Sequence, residues 1–354
     1  MNRPTLQPVI LNGAHGEGGG ALLRTALIMS ALMEQPVRIH SVRGAMRKPG
    51  LNAEDLGLLF ALRQACQAEV DGDEIGSSDL TFIPRRHGRS IDLEVDLSKF
   101  DGGKVPGAAC VIAEALVPLM ARAGAVSRLT IYGETHSNNT LSFDTFESST
   151  CAGHATQGIG IFPALVTTGF GFGSRGKAVI EYEPSEVVPF EWIERGELKE
   201  CGITITATEA PQPVIAEMER IAVAHMTSLG WEPDVHIQEV RGREPGVSLT
   251  YWAKCASGMG SASGCMNRGG NPKSFADAVW TEFLDWWSSE TTIDPFLADQ
   301  LLIPAVLAEG KTHFSTQRIT RRLVTMAWII KQFIPIQVTI KGREGTKGSV
   351  TIQR

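Results

Sequence analysis

A glycine-rich turn followed by an arginine is the first place in this sequence where residue types and spacing can do chemistry. The extended segment Val9–Leu11 runs through Gly13-Ala14-His15-Gly16-Glu17-Gly18-Gly19-Gly20 straight into a helical pattern carrying Arg24. Such a turn delivers backbone N–H groups to a helix N-terminus, where they attract anions. It has neither the Lys-Ser/Thr pair of a P-loop nor the G-x-G-x-x-G spacing, so a purely structural use stays open. Two charged residues sharpen the functional use. Glu17 can hold a metal ion or pair with Arg24, and Arg24, about one helical turn in, can reach a phosphate.

Arg318, Arg321 and Arg322 form a second basic group at the start of a helix, where they either bind phosphate or make a solvated face. His15 and His136 fall on loops. His136 reads equally well as a group facing a cleft or as a structural histidine, and His15 reads as structural. Trp280, Trp286 and Trp287 have mixed helical spacing that suits a core or an interface better than base stacking. The six cysteines include no C-x-x-C pair, and Cys255 and Cys265 lack flanking ligands, so zinc and disulfides are disfavoured.

At 354 residues the prior is two domains, and 43% hydrophobic with 20% charged residues is ordinary globular composition. A formal net charge of -6 supplies no positive field to coat a duplex, so any nucleic-acid work needs a local basic pocket. The longest apolar stretch, Ala108–Leu119, is broken by Glu114 and is too short to span a bilayer. Met1–Pro8 lacks the order of a signal peptide, and the expected location is cytoplasmic, away from membranes.

The elements that must position these residues recur. Ala21–Met33 is helical, Pro36 stops it, Val37–Val42 is extended, Arg43–Asn52 is a polar loop, Ala53–Ala68 is helical, and Leu80–Pro84 is extended. The same order returns with helix Pro106–Ala123, strand Arg128–Tyr132 and loop Gly133–Thr140. It returns again with helix Pro295–Leu307, strand Thr312–Thr316, helix Thr320–Phe333 and strand Pro335–Lys341. Three such α/β modules imply a pseudo-threefold arrangement, with either sheets on helices or helices on one another inside. Between the second and third lies a segment of different texture with strands Ile203–Ala207, Val235–Arg241 and Val247–Lys254 and helix Pro213–Leu229. The expected division is 1–185 for two repeats, 186–263 for an inserted small α/β domain and 264–354 for the third repeat. The Gly/Ser run Ser257–Gly270 reads as a mobile return linker or a loop bordering a site.

Four segments together resemble the RNA 3'-terminal phosphate cyclase family, in the family's order and across nearly the whole chain. They are Glu17-Gly18-Gly19-Gly20-Ala21-Leu22-Leu23-Arg24-Thr25-Ala26-Leu27, Arg47-Lys48-Pro49-Gly50-Leu51, Glu74–Phe82 and Leu297-Ala298-Asp299-Gln300-Leu301. The resemblance implies three βαβαββ-type repeats with an insert before the last, a fold also found in EPSP synthase-like proteins. It implies ATP with Mg²⁺ or Mn²⁺ and chemistry on an RNA 3' end: a histidine takes AMP, AMP passes to the 3'-phosphate, and the 2'-hydroxyl displaces it to leave a 2',3'-cyclic phosphate. Dividing the reaction this way turns a poor leaving group into a good one. By resemblance Glu17 is metal-associated, Arg24 binds phosphate, and Phe296, Leu297, Ala298, Asp299 and Gln300 form the nucleotide-binding segment, with Asp299 orienting the histidine. Arg43, Arg47, Lys48 and His136 are the candidates for holding the RNA end.

The chain also departs from the family. Counting back from Phe333-Ile334-Pro335, the histidine position holds Arg322, whose protonated guanidinium forms no phosphoramidate. Met46 stands in place of a basic residue, Ala53-Glu54 in place of Arg-Gln, and Glu114 in place of an adenosine-contacting Gln. The segment Gly169–Gly176 lacks the family's Gly-Phe-Tyr-Pro pattern. Added carboxylates near a polyanion site weaken phosphate binding. Two functions follow: an ATP-using cyclase or a relative that activates phosphate without the histidine, or a non-cyclising RNA- or nucleotide-binding protein like the cyclase-like proteins of ribosome biogenesis. In either, Arg322 is expected to pair with Asp299 and contribute a phosphate contact.

Overall fold

Helices that are apolar on every side must be enclosed, whereas strands that alternate need cover on one face only. The chain divides that way in a computed structural model that describes residues 7–100, 107–138, 140–266 and 268–354. Met1–Leu6 of the N-terminal stretch, Pro106 of the second expected helix, Asn139 of the following loop and Asn267 of the Gly/Ser run lie outside the described residues.

The first repeat runs β1 (Val9–Asn12), α1 (Gly20–Met33), β2 (Val37–His40), α2 (Ala53–Cys66), β3 (Glu69–Asp71), β4 (Asp79–Ile83), with sheet order β1-β2-β4-β3. The second runs β5 (Asp92–Asp96), α3 (Ala109–Ala121), β6 (Ser127–Gly133), α4 (Phe143–Thr145), a π turn (Phe146–Thr150), α5 (Cys151–Thr156), β7 (Ile161–Thr167), β8 (Gly176–Tyr182). Its sheet order, β5-β6-β8-β7, repeats that of the first. An insert follows: β9 (Leu198–Thr208), α6 (Gln212–Ser228), β10 (Asp234–Glu239), β11 (Gly246–Cys255), β12 (Gly258–Cys265) and α7 (Pro272–Ser288), in sheet order β10-β9-β11-β12. The third repeat holds α8 (Pro295–Gln300), α9 (Leu302–Leu307), β13 (Lys311–Thr316), α10 (Arg321–Phe333), β14 (Gln337–Lys341) and β15 (Gly348–Gln353). Its first strand is reduced to Ile293, which bridges in parallel to Thr316 on one side and to Met259 of β12 on the other. The architecture is therefore three βαβαββ repeats with an inserted α/β unit, and Ile293 joins the insert's sheet to the third.

Of the two packings open to the sequence, the helices face inward. α1 packs against α2, α3 and α10, and from Gly20 to Ala31 every residue but Arg24 is buried. The strands β2 and β6 alternate buried positions with exposed or half-buried ones, so that one sheet face turns outward. One hydrophobic cluster unites the three repeats, and a second, from Cys201 to Trp286, fills the insert.

Three expectations change on contact with the structure. The Gly/Ser run is not a linker: its first half is β12, paired antiparallel with β11 along its whole length. It is glycine-rich because rings lie on it, and a Cβ at Gly260 would come within 2.4 Å of the Trp286 indole. Residue 263, where the sequence places the end of the insert, lies inside this strand, and the second cluster continues through α7 to Trp286. The helix expected over Pro295–Leu307 is broken at Leu301, because Pro304 has no N–H to return to the Gln300 carbonyl.

Candidate active site

The glycine turn owes its shape to two left-handed residues, Gly16 (φ 59°) and Gly18 (φ 61°). A Cβ at Gly16 would sit 2.2 Å from Thr325 Oγ1. That close approach fastens the turn to α10: the Glu17 N–H donates to Thr325 Oγ1 at 2.8 Å, and the threonine hydroxyl donates to the Arg321 carbonyl at 2.7 Å. Glu17 then turns its carboxylate onto the start of α1, where Oε2 accepts from Gly19 N at 2.8 Å and Leu22 N at 3.3 Å. The anion at this helix N-terminus is thus the protein's own, and Glu17 is paired with backbone rather than with Arg24.

Arg24 is the one unburied residue on the otherwise enclosed stretch of α1, which aims it into a central cleft of about 940 Å³. Arg43 joins it from the loop after β2, holding a left-handed backbone (φ 52°). The two guanidiniums converge above Gly20, where a Cβ would lie 2.6 Å from Arg24 Nη1 and 3.1 Å from Arg43 Nη1. Each has an acidic neighbour on α2. Arg24 Nη1 is 3.9 Å from Glu54 Oε2, and Arg43 Nη1 is 3.5 Å from Asp55 Oδ2. Asp55 also closes a capping box with Asn52, and burial pushes its carboxyl up to about 6 against the pull of Arg43. Glu54 accepts from Ala108 N at 2.9 Å, so this departure from the family pattern ties α2 to the head of α3.

The opposite wall carries the pair expected from the sequence. Arg322, in the first turn of α10, places Nε 3.1 Å from Asp299 Oδ2 and its guanidinium 5.3 Å from the centre of the Phe296 ring. Thr320, the N-cap of α10, accepts from Leu323 N and donates to Asp299 Oδ1 at 2.7 Å. The Arg322 contact is off-axis, and Asp299 Oδ2 has no aligned hydrogen bond. Burial therefore dominates, and with Asp294 and Glu17 it pushes Asp299 up to about 6 against Arg322 and Thr320. Glu114 enters the same cleft from α3.

The remaining candidates separate. Of the nucleotide-segment residues, Phe296, Asp299 and Gln300 line the cleft, whereas Leu297 and Ala298 are buried in the main core, because a helix cannot turn five consecutive residues to one side. Gln300 accepts from Thr150 Oγ1 at 2.9 Å. Arg47 and Lys48 are exposed on the loop beside Met46, itself a lining residue. His136 does not reach the cleft. It is fully buried, with Nε2 3.0 Å from Asp144 Oδ1 and Nδ1 2.9 Å from Thr135 Oγ1, and its ring stacks on Phe170. Arg321 pairs with Glu344 at 2.8 Å, Arg318 is exposed, and only Arg322 of the three enters the site. His15 lies against Trp328, ring centres 4.0 Å apart.

The third wall comes from the insert and carried no signal beyond the Gly/Ser run. Ser261 and Ser263 of β12 and Phe275, Val279 and Glu282 of α7 face the cleft, and Asn138 clamps the strand by exchanging two hydrogen bonds with the Cys265 backbone. Among the described residues no group of three or more His, Cys, Asp or Glu is placed to hold a metal. Glu17 offers one oxygen, Oε1, free of hydrogen bonds from described residues, which fits a Mg²⁺ or Mn²⁺ brought in on nucleotide phosphates better than a resident ion.

A family model described as RNA 3'-terminal phosphate cyclase matches residues 15–340. Curated relatives with that name include one from Methylococcus capsulatus, 28% identical over 97% of this chain and 95% of its own. Others come from Pyrococcus furiosus (28%, 98% and 99%) and Nostoc punctiforme (27%, 93% and 95%). Among solved structures, the enolpyruvyl transferase NikO from Streptomyces tendae aligns with 99% of this chain and 49% of its own at a TM-score of 0.40 and 12% identity.

Proposed function

Because the chain belongs to the RNA 3'-terminal phosphate cyclase family, we propose that its central cleft receives a phosphorylated RNA 3' end, or the phosphates of ATP, without a covalent nucleotidyl step. The observation that carries this is the Arg322–Asp299 pair at the mouth of α10. By resemblance that position belongs to the histidine that takes AMP. A guanidinium stays protonated with its lone pairs delocalised, so it binds phosphate oxygens but does not attack phosphorus.

Arg24 and Arg43 converge from one wall and Arg322 from the other, so a phosphate between them meets three donors. Phe296 supplies an aromatic face beside Arg322 for a base, and Arg47 and Lys48 stand on the rim for upstream phosphates. A metal carried by a nucleotide would meet Glu17 Oε1 and shield phosphate charge there. This reading favours the non-cyclising alternative over the enzyme at the covalent step alone, and it keeps the family's ligands.

Incubation with ATP labelled on its α-phosphate and Mg²⁺ or Mn²⁺ is expected to leave no acid-labile label on the protein. A 3'-phosphorylated oligoribonucleotide is expected to bind, and Arg24→Ala to weaken it roughly tenfold or more, from the loss of about 1.5–3 kcal/mol of charge-assisted contact. A labelled protein band overturns the non-covalent reading, and an unchanged affinity in Arg24→Ala overturns the phosphate site. Arg322→His then asks whether the nucleophile is the sole missing part: label on that variant means that it is.

A further inference from the structure

The cleft is crowded with its own negative charge. Glu17, Glu54, Glu114, Glu282 and Asp299 line it, against Arg24, Arg43 and Arg322. A phosphate entering such a site adds repulsion unless one carboxylate is discharged. Three of the five each have one oxygen held by a hydrogen bond: Glu17 Oε2 by the amides of α1, Glu54 Oε1 by Ala108 N, and Asp299 Oδ1 by Thr320, with Arg322 off-axis at Oδ2. Glu282 is exposed on α7, where solvent reaches it; partial burial raises its carboxyl and the Arg318 charge opposes that rise. Glu114 alone faces inward with no hydrogen bond or ion pair to a described residue.

The surroundings of Glu114 explain why it is the group that yields. α1 presents Arg24, α10 presents Arg322, α8 presents Asp299 and α2 presents Glu54, while Asp55 turns to Arg43 and Asn52. β8 presents Tyr182, whose hydroxyl donates to the Ala113 carbonyl, and the π turn carries Glu147, whose charged neighbours are Asp144 and His236. α9 and the inward residues of β6 bring no ionisable side chain. Burial, helped by Asp299 and opposed by Arg24 and Arg322, pushes the Glu114 carboxyl up to about 7.

We propose that Glu114 takes up a proton from solvent when a phosphate-bearing ligand enters the cleft, so that the neutral carboxyl donates its O–H to a ligand oxygen instead of repelling it. This rests on the reading of the cleft as a phosphate site and adds its regulation. The sign follows from charge: a dianion beside Glu114 disfavours the carboxylate, raises its pKa in the complex and couples binding to proton uptake. Affinity therefore falls as pH rises above neutrality, while the ligand phosphate itself, with its second pKa near 6, stays a dianion.

The test is calorimetry of the full chain with a 3'-phosphorylated oligoribonucleotide between pH 7.5 and 8.5, in buffers of differing ionisation enthalpy. The expected result is uptake approaching one proton and an affinity loss of up to about tenfold across that unit of pH. Glu114→Gln, a neutral shape match, is expected to bind at pH 8.5 at least as tightly as the parent and to show neither uptake nor pH slope. Binding by the parent that is flat in pH overturns the proposal and leaves the phosphate site standing. Uptake that persists in Glu114→Gln assigns the proton to another group and also overturns it. Absence of binding at every pH, in parent and variant alike, overturns the phosphate site and this proposal with it.

Discussion

Two buried aspartates, one beside a histidine and one beside an arginine, behave in opposite ways. Asp144, at the junction of the second repeat and the insert, accepts from His136 on Oδ1, from Thr206 Oγ1 at 2.8 Å and from Ser248 Oγ at 2.6 Å. Burial alone would raise it, yet His136 and the two hydroxyls hold it below the usual carboxylate range. Asp299 has one aligned donor, Thr320, and an off-axis arginine, and it shares its cleft with other carboxylates. It is pushed up to about 6. A buried charge whose lone pairs are filled works as a joint, whereas one left short of donors waits for a ligand. The same difference separates His136, sealed into the joint, from Arg322, whose side chain is 39% exposed at the cleft.

The contrast can be broken most directly at the joint. Asp144→Ala strands His136, Thr206 and Ser248, and is expected to cost about 3–5 kcal/mol in urea denaturation, with hydrogen exchange rising first in β9 and β11. A loss under about 1 kcal/mol would mean that the joint is ornamental.

The cleft should respond in the other direction. Asp299 binds its proton more tightly in the folded chain, at about 6, than at its ordinary 3.8. Its stabilising share is present below about pH 4 and lost as pH rises through 6, on the order of 2–3 kcal/mol at most. Asp299→Asn removes that part of the slope, leaving what Asp55, Asp294 and Glu114 contribute, since burial raises the first two to about 6 and Glu114 to about 7. The variant is expected to be no less stable than the parent at pH 8, and a clear loss there would place Asp299 with Asp144.

Smaller changes sharpen the comparison. Ser248→Ala removes one of the donors to Asp144 and is expected to cost about 1–2 kcal/mol. Arg24→Ala, whose carboxylate neighbour is 3.9 Å away, is expected to shift stability by no more than about 0.5 kcal/mol while it weakens the oligoribonucleotide.

What the sequence determined by itself was local and repetitive. The apolar run of α1 broken only by Arg24, the glycines that permit the turn, and the thrice-repeated order of elements are all properties of neighbouring residues. Segments such as Leu297-Ala298-Asp299-Gln300-Leu301 carried the family for the same reason. Tertiary structure decided which of those residues meet. Glu17 is capped onto α1 while its amide is held by Thr325, and Asp299 finds Arg322 across the break between α8 and α10. His136 and Arg43 were equal candidates on polar loops, and only the docking of β9 and β11 sealed the first while Gly20 left room for the second. Of the insert's wall the sequence offered only the Gly/Ser run, as a linker or a loop bordering a site; it borders the cleft, but as a strand, which shows only when the rings of α7 are laid over it. Burial and hydrogen-bond partners are set by residues far away in sequence, and they decide whether a charge is satisfied or left available for a ligand.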